Sequence, residues 1–386
     1  MLFNIAIIFI VALSLNWFCE RLKAPGILGM ILAGIILGPS CYDFISQDIL
    51  KFSSDLRSVA LVIILIRVSL SVKKTELNKL GPISVKLGLI PIMIETLFIS
   101  LFAFYFFKMP LITASILGFI ISAISPAIIV PEMMNLKDTL NQNKKHIPTI
   151  LLAAAALDNL FAITAFNTLI QINQSHIGYY YSLIKVPIEI ILGILLGMGS
   201  GHLFISFFKR HHVRDTKKVI IFLTVAILFL KIETILPFHV SGFIAIIVMG
   251  FTILENAESL AHRLSNKFSK IWILAEIVLF VLIGAQVNLS SLTSLSLSGL
   301  LLIFIGLAGR SIGVFVSLYK EKFTFGENLF CAISLTPKAT LQATLGAIPL
   351  TLGLPHGDLI LSLSVLSIIV TAPLGALGIR FSKKYL

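Results

Sequence analysis

The run AAAALDNLFAIT, residues 153–164, sets one carboxylate and one carboxamide side by side in an otherwise apolar stretch. A charge at the centre of a bilayer costs at least about 2.5–3.5 kcal/mol, so Asp158 must face a partner or a wet cavity to be kept there. The other ionisable residues inside apolar runs are Arg67, Lys86, Lys185, Arg310 and Lys338, and on the acidic side Glu95, Glu189 and Glu276. Lys86 and Lys185 stand near run ends, where a long side chain reaches the interface. Glu189 follows Lys185 by four residues, the spacing of a simple pair on one helix face, and Glu276 lies one to two turns from a polar boundary. Arg67, Glu95, Asp158, Arg310 and Lys338 remain as the deep set. Two readings stay open for them: a structural pair between Glu95 and an arginine, and a working carboxylate at Asp158.

The elements that position these residues follow from composition. Of 386 residues 57% are hydrophobic and 12% charged, with a mean hydropathy of +1.01, which no soluble domain of mixed surface and core would show. Apolar runs long enough to cross about 30 Å of hydrocarbon repeat along the chain. Thirteen spans are read near 2–18, 25–39, 58–72, 82–107, 110–134, 147–171, 181–207, 218–230, 240–254, 271–288, 295–319, 327–349 and 357–379. The N-terminus MLFNIAIIFIVALSL lacks a basic n-region and a cleavage site, so a retained first span is expected. Cys19, Cys41 and Cys331 show no metal or disulfide spacing and read as small packing residues.

Odd-numbered loops and the C-terminal tail carry 21 of the 30 Lys and Arg residues, whereas even-numbered loops carry Lys51, Arg57, Lys108 and Lys231 alone. The positive-inside rule then puts the N-terminus outside and the C-terminus in the cytoplasm, and the expected location is the bacterial inner (plasma) membrane. The formal charge of +12 is thereby topological, so nucleic acid is not needed to account for it and no nucleic-acid partner is expected.

Span five contains ISAISPAIIVPEM, with Pro126 in its middle, and span twelve contains ISLTPKATLQATLGAIP, with Pro337 in its middle. Each proline removes an N–H donor and frees a carbonyl, and each follows a hydroxyl residue, Ser125 or Thr336. The two sites are seven spans apart. That offset fits two repeats, approximately 1–171 and 218–379, joined by a linker helix at 181–207, with the second inverted relative to the first. Interrupted helices at matching positions of inverted repeats point to a transporter's midplane binding site. Span six runs beside the first break, and its midpoint is Asp158-Asn159.

On these residues the chain resembles the cation:proton antiporter superfamily, and within it the NHA branch of sodium/proton exchangers. The matching segments are PGILGMILAGIILGP (25–39), LIRVSLSVKKTELNKLG (65–81), ISPAIIVPEMM (124–134), IPTILLAAAALDNLFAITAFNT (147–168), LIGAQVNLSSL (282–292), GRSIGVFVSL (309–318) and TPKATLQATLG (336–346). The resemblance implies an all-α polytopic membrane protein of about 13 transmembrane helices, in two inverted-topology six-helix repeats with two crossed discontinuous helices. It also implies a homodimer, no cofactor beyond the transported Na⁺ or Li⁺ and H⁺, and ion binding by span-six carboxylates beside the crossing.

Asp158 falls at the first position of the family's paired acidic motif and Asn159 at the second. By the same resemblance Arg310 offsets the carboxylate charge, Glu95 is its salt-bridge partner, and Lys338 stands in the second break. Electrogenic members have Asp-Asp here and electroneutral ones Asn-Asp; Asp-Asn reverses the latter, and the second position is the usual ion ligand. Gln286 also stands where relatives often have an acid.

The expected function is exchange of Na⁺ or Li⁺ for H⁺ at Asp158, with Asn159, Ser125, Thr336 and freed backbone carbonyls as neutral ligands. A single carboxylate predicts electroneutral one-for-one exchange. Two alternatives stand beside it: a carrier or channel of the same fold without proton coupling, and a transport-inactive membrane sensor. No H-E-x-x-H, nucleophile elbow or phosphate-binding glycine loop occurs, and the chain is not read as an enzyme. GMGSG at 197–201 reads as close helix packing.

Overall fold

The structure, a computed structural model, describes residues 2–22, 25–70, 74–139, 146–174, 179–211, 213–235, 240–287 and 296–386. The side chains of some helical residues, Lys185 among them, lie outside the described set, and with them the expected Lys185–Glu189 pair. All regular structure among the described residues is helical. In chain order the helices are α1 (Leu2–Arg21), α2 (Gly26–Leu37), α3 (Gln47–Lys51), α4 (Ser53–Ser69), α5 (Lys74–Phe106), α6 (Leu111–Ser122), α7 (Pro126–Thr139), α8 (His146–Gln174) and α9 (Tyr179–Arg210). They continue with α10 (Asp215–Ile235), α11 (Gly242–Asn256), α12 (Glu258–Ala285), α13 (Ser296–Leu318), α14 (Phe325–Ser334), α15 (Thr340–Leu345), α16 (Ile348–Thr351) and α17 (Gly357–Ser382). Among the described residues eight helical stretches are long and apolar enough to cross a membrane, and Gly26–Leu37 and Gly242–Asn256 are shorter apolar helices. Each of the thirteen predicted spans is occupied by a helix or by a broken helix.

Two compact units are present: Met1–Arg57, Leu80–Ala162 and Ile277–Leu386 form the first, Ser58–Lys79 and Ile163–Glu276 the second. In the second unit α9 lies against α11 through small residues four apart. A Cβ on Gly193, Gly197 or Gly201 would come within 2.8 Å of Ser241 O, 2.6 Å of Ala245 O or 2.7 Å of Thr252 Cβ, so only glycine lets the two backbones approach this closely. The packing expected of GMGSG is therefore observed. In the same unit Arg67 lies within electrostatic reach of Glu276.

The first unit holds both interrupted helices. α6 ends at Ser122, the chain is extended at Ala123 (φ −59°, ψ 134°), and α7 restarts at Pro126. Proline at a first helical position loses no bond, because that N–H has no partner within the helix. α14 is started by a capping box in which Thr324 Oγ1 accepts the Glu327 N–H and Glu327 Oε2 accepts the Thr324 N–H. It ends at Ser334, and the chain stays non-helical through Ala339 before α15.

Three expectations are corrected. α12 begins at Glu258, not near 271, so Arg263, Lys267 and Lys270 stand on a helix and not in a loop. Leu260, Ala261, Leu264, Phe268 and Trp272 are buried along one face of that extension, a helical period that an average over mixed polar residues conceals. Arg57, assigned to a loop, is buried within α4, where it donates to Gln286 Oε1 at 2.9 Å and to the Ser53 carbonyl at 3.2 Å. Cys19 and Cys331 are buried as expected, but Cys41 is exposed.

Candidate functional site

The two breaks meet. The Ser125 N–H donates to the Pro337 carbonyl at 2.8 Å, so each extended segment satisfies a main-chain group of the other. A close approach of α17 holds the second break in place: a Cβ on Gly375 would fall 2.3 Å from Pro337 Cγ. Thr371, one turn earlier on α17, accepts the Lys338 N–H through Oγ1 at 3.0 Å.

Four charged side chains converge on this crossing, and all lie in the first unit. Asp158 of α8, Arg310 of α13 and Lys338 of the second break are 0% exposed, and Glu95 of α5 is 1% exposed. Arg310 Nε donates to Glu95 Oε2, and its Nη2 donates to Asp158 Oδ2 at 3.0 Å and to the Ser122 carbonyl. Lys338 Nζ donates to Glu95 Oε2 at 2.9 Å and to the Ser122 carbonyl at 2.7 Å. Asp158 Oδ1 accepts the Ile124 N–H at 3.0 Å. Ionised, the two acids and two bases sum to zero, which is how buried charges are made tolerable in a low-dielectric interior.

The carbonyls of residues 120–123, where α6 gives way to the break, all accept side-chain donors. A helix end leaves its final carbonyls without intrahelical donors and carries a partial negative charge. Here Ser122 O receives both cations, and Gln342 of α15 donates through Nε2 to Ile120 O (2.9 Å), Ile121 O (3.1 Å) and Ala123 O (2.6 Å). The main-chain oxygens expected to be free for a cation at residues 120–123 are thus held by protein donors.

Side-chain oxygens are left over instead. Ser125 Oγ, both amide atoms of Asn159 and Gln342 Oε1 are buried without a hydrogen-bond partner among the described residues. Thr336 turns its hydroxyl back to donate to the Ile333 carbonyl at 2.8 Å, so it caps its own half-helix. Phe119 and Phe161 meet edge to face at 5.8 Å between centroids, three residues from Asp158 along α8. Among the described residues no group of three or more His, Cys, Asp or Glu side chains is placed to hold a metal ion.

A family model described as "Sodium/hydrogen exchanger, transmembrane" matches residues 5–382. The chain belongs to the sodium/hydrogen exchanger family. Human sodium/hydrogen exchanger 9B2 is 32% identical over 370 residues, covering 92% of this chain and 68% of that protein. Human sodium/hydrogen exchanger 9B1 is 31% identical over 374 residues, covering 92% and 70%. The solved structure of the sodium proton antiporter MjNhaP1 from Methanocaldococcus jannaschii at pH 8 superposes with a TM-score of 0.83 at 20% identity, over 100% of this chain and 98% of that one, and shows the fold. The protein is accordingly an all-α, multi-pass integral membrane member of an exchanger family whose named relatives are transporters.

Of the residues expected at an exchanger site, the structure brings Asp158, Arg310, Glu95 and Lys338 into one bonded cluster, with Ser125, Pro126 and Pro337 at the breaks beside it. Asn159 adjoins the cluster without bonding to it. Gln342 was not singled out by its type. The signal was available, as a carboxamide within the apolar and hydroxyl-bearing run that follows Lys338, but nothing in the sequence tells a buried cap from a lipid-facing polar residue. Lys86 pairs with Glu321 at 2.9 Å while 43% exposed, in keeping with a place near a span end.

Proposed function

We propose that the chain exchanges Na⁺ or Li⁺ for H⁺ across the membrane by alternating access, one for one, and that Asp158 takes either ion. The observation that carries the proposal is a fully buried carboxylate at the meeting point of two interrupted helices, beside Ser125 and Asn159, whose side-chain oxygens have no hydrogen-bond partner among the described residues. One carboxylate cannot hold a proton and coordinate a cation with the same lone pairs at once. Occupancy by one therefore excludes the other, which is the requirement for exchange.

The charge count supports the stoichiometry. With Arg310, Lys338 and Glu95 constant, a protonated Asp158 leaves the cluster at one net positive charge. An ionised Asp158 with Na⁺ beside it leaves the same charge. The loaded forms are electrically equivalent, so the membrane potential favours neither. Arg310 competes with the arriving cation for Asp158 Oδ2, and this sets how much affinity the site can have. Inverted repeats at about 1–171 and 218–379, an external N-terminus and a homodimer complete the proposal, on the loop-charge pattern and the family membership.

The test is dissipation of an imposed pH gradient in inverted vesicles on addition of Na⁺, Li⁺ or K⁺. Na⁺ and Li⁺ are expected to dissipate it, and Asp158→Asn is expected to abolish the response. A response of wild-type size in Asp158→Asn overturns the role given to Asp158. A carrier without proton coupling is the second reading, favoured by the neutral Asn159 at the family's usual acidic position. Cation flux that ignores the pH gradient is its signature.

A further inference from the structure

The Ala123–Ile124 peptide is gripped from both sides. Its carbonyl accepts from Gln342 Nε2 at 2.6 Å, and its N–H donates to Asp158 Oδ1 at 3.0 Å. One rigid peptide plane therefore links the amide of Gln342 to the carboxylate of Asp158. The same Nε2 also holds the carbonyls of Ile120 and Ile121. Three acceptors around two N–H bonds fix the amide plane, leaving it no rotation that would not lose a buried bond.

We propose that Gln342 is the residue that sets cation specificity, by positioning Asp158 and by keeping the carbonyls of the α6 break out of the ion's coordination shell. This rests on the exchange reading given above. With residues 120–123 closed to it, a cation at Asp158 must be dehydrated by few oxygens: the carboxylate and the neighbouring hydroxyl and amide side chains. A small coordination number favours a small ion, because a larger one needs more ligands to replace its hydration shell. Removing the Nε2 donors frees the carbonyls of Ile120, Ile121 and Ala123 and releases the peptide plane that aims the Ile124 N–H, so that the plane can turn its oxygen toward the ion. The larger cation gains from both changes.

The experiment measures the KM for Na⁺ and for K⁺ in vesicles containing wild type, Gln342→Met, which keeps length without donors, and Gln342→Glu, which keeps shape but donates nothing when ionised. The expected result is a fall in the K⁺/Na⁺ KM ratio by about fivefold to tenfold in both variants, the scale of one lost net hydrogen bond. The maximal rate with Na⁺ is expected to change less than the ratio does. A ratio is independent of how much protein folds, so a poorly expressed variant still decides the question. An unchanged K⁺/Na⁺ ratio in either variant, even with lowered thermal stability, makes Gln342 a helix cap only and overturns the inference. Failure of the wild type to move Na⁺ overturns the exchange reading instead.

Discussion

Replacing Asn159 with Asp adds a second carboxylate beside Asp158, and the charges already buried there fix what should follow. The wild-type cluster holds Arg310 and Lys338 against Glu95 and Asp158 and is neutral when all four are ionised. With a fifth group the ionised cluster carries one net negative charge. Two protons then bring it to one positive charge, whereas one Na⁺ brings it to zero. The loaded forms differ by one charge, so each turn of the cycle in Asn159→Asp moves one net charge across the membrane. A charge crossing 100 mV gains about 2.3 kcal/mol, which corresponds to roughly a 50-fold change in the Na⁺ gradient the protein can sustain. The wild type should show no such dependence. The assay is Na⁺ accumulation in proteoliposomes at equal pH on both sides, with the potential set by valinomycin and a K⁺ gradient. Asn159 is buried, so the new carboxylate also raises the cost of folding, while Arg310 Nη1, buried and without a partner among the described residues, is a donor in the same cluster that can offset part of it. A wild type whose Na⁺ gradient follows voltage, or an active Asn159→Asp whose gradient ignores it, would refute the charge count.

Glu95→Gln should destabilise the protein by about 3–5 kcal/mol, the cost of removing one partner from a buried ion pair, because Arg310 and Lys338 would be left with Asp158 alone. Thermal unfolding in detergent reads this, and the double variant Glu95→Gln with Lys338→Met should recover much of the loss by restoring neutrality; no recovery would show that charge balance is not what holds the cluster. At the start of α10, burial alone would raise Asp215, but hydrogen bonds from Lys218 (3.1 Å) and Arg263 (2.9 Å) reverse this and hold it below the usual carboxylate range. A depressed folded-state value means that the stabilisation is present above about pH 3.9 and is lost as pH falls through the lowered value. Asp215→Asn should therefore unfold earlier than wild type at neutral pH, by under about 1 kcal/mol for so exposed a contact, and the difference should vanish in strong acid.

The breaks were legible because proline next to a hydroxyl has few meanings inside an apolar run, and both breaks lie where Pro126 and Pro337 put them. The deep charges were legible because a bilayer makes any charge conspicuous. Spacing alone does not say what they bond to: Arg310 and Glu95, 215 residues apart, were paired by the resemblance, whereas the Lys338–Glu95 bond, across 243 residues, had no signal. Polar residues at span ends were the weakest part. Arg57 counted as a loop residue because hydropathy falls near it, yet packing takes it inside against Gln286. Gln342 was invisible for a related reason: an uncharged amide costs little enough in an apolar run that its presence forces no conclusion, while its three acceptors, at the end of α6 and in the extended residue after it, lie over 200 residues away.

The placement of Arg310 and Lys338 on Ser122 O changes how the neutralising charges should be understood. Both cations face the negative end of α6 as well as the two carboxylates, so they would be needed at the break even if no ion were moved. Their demand on Asp158 is correspondingly divided: Arg310 shares one Nη2 between Asp158 and Ser122, and Lys338 touches Glu95 and Ser122 without touching Asp158. Asp158 is thus held by a single guanidinium contact and one peptide N–H, a weaker grip than that on Glu95, which takes both cations. On the exchange proposed above, a carboxylate that lets go of its partners to admit a cation or a proton needs just such a grip. With Asn159 neutral beside it, Asp158 is also the one acidic group of the cluster that can change occupancy without removing a carboxylate shared by both bases.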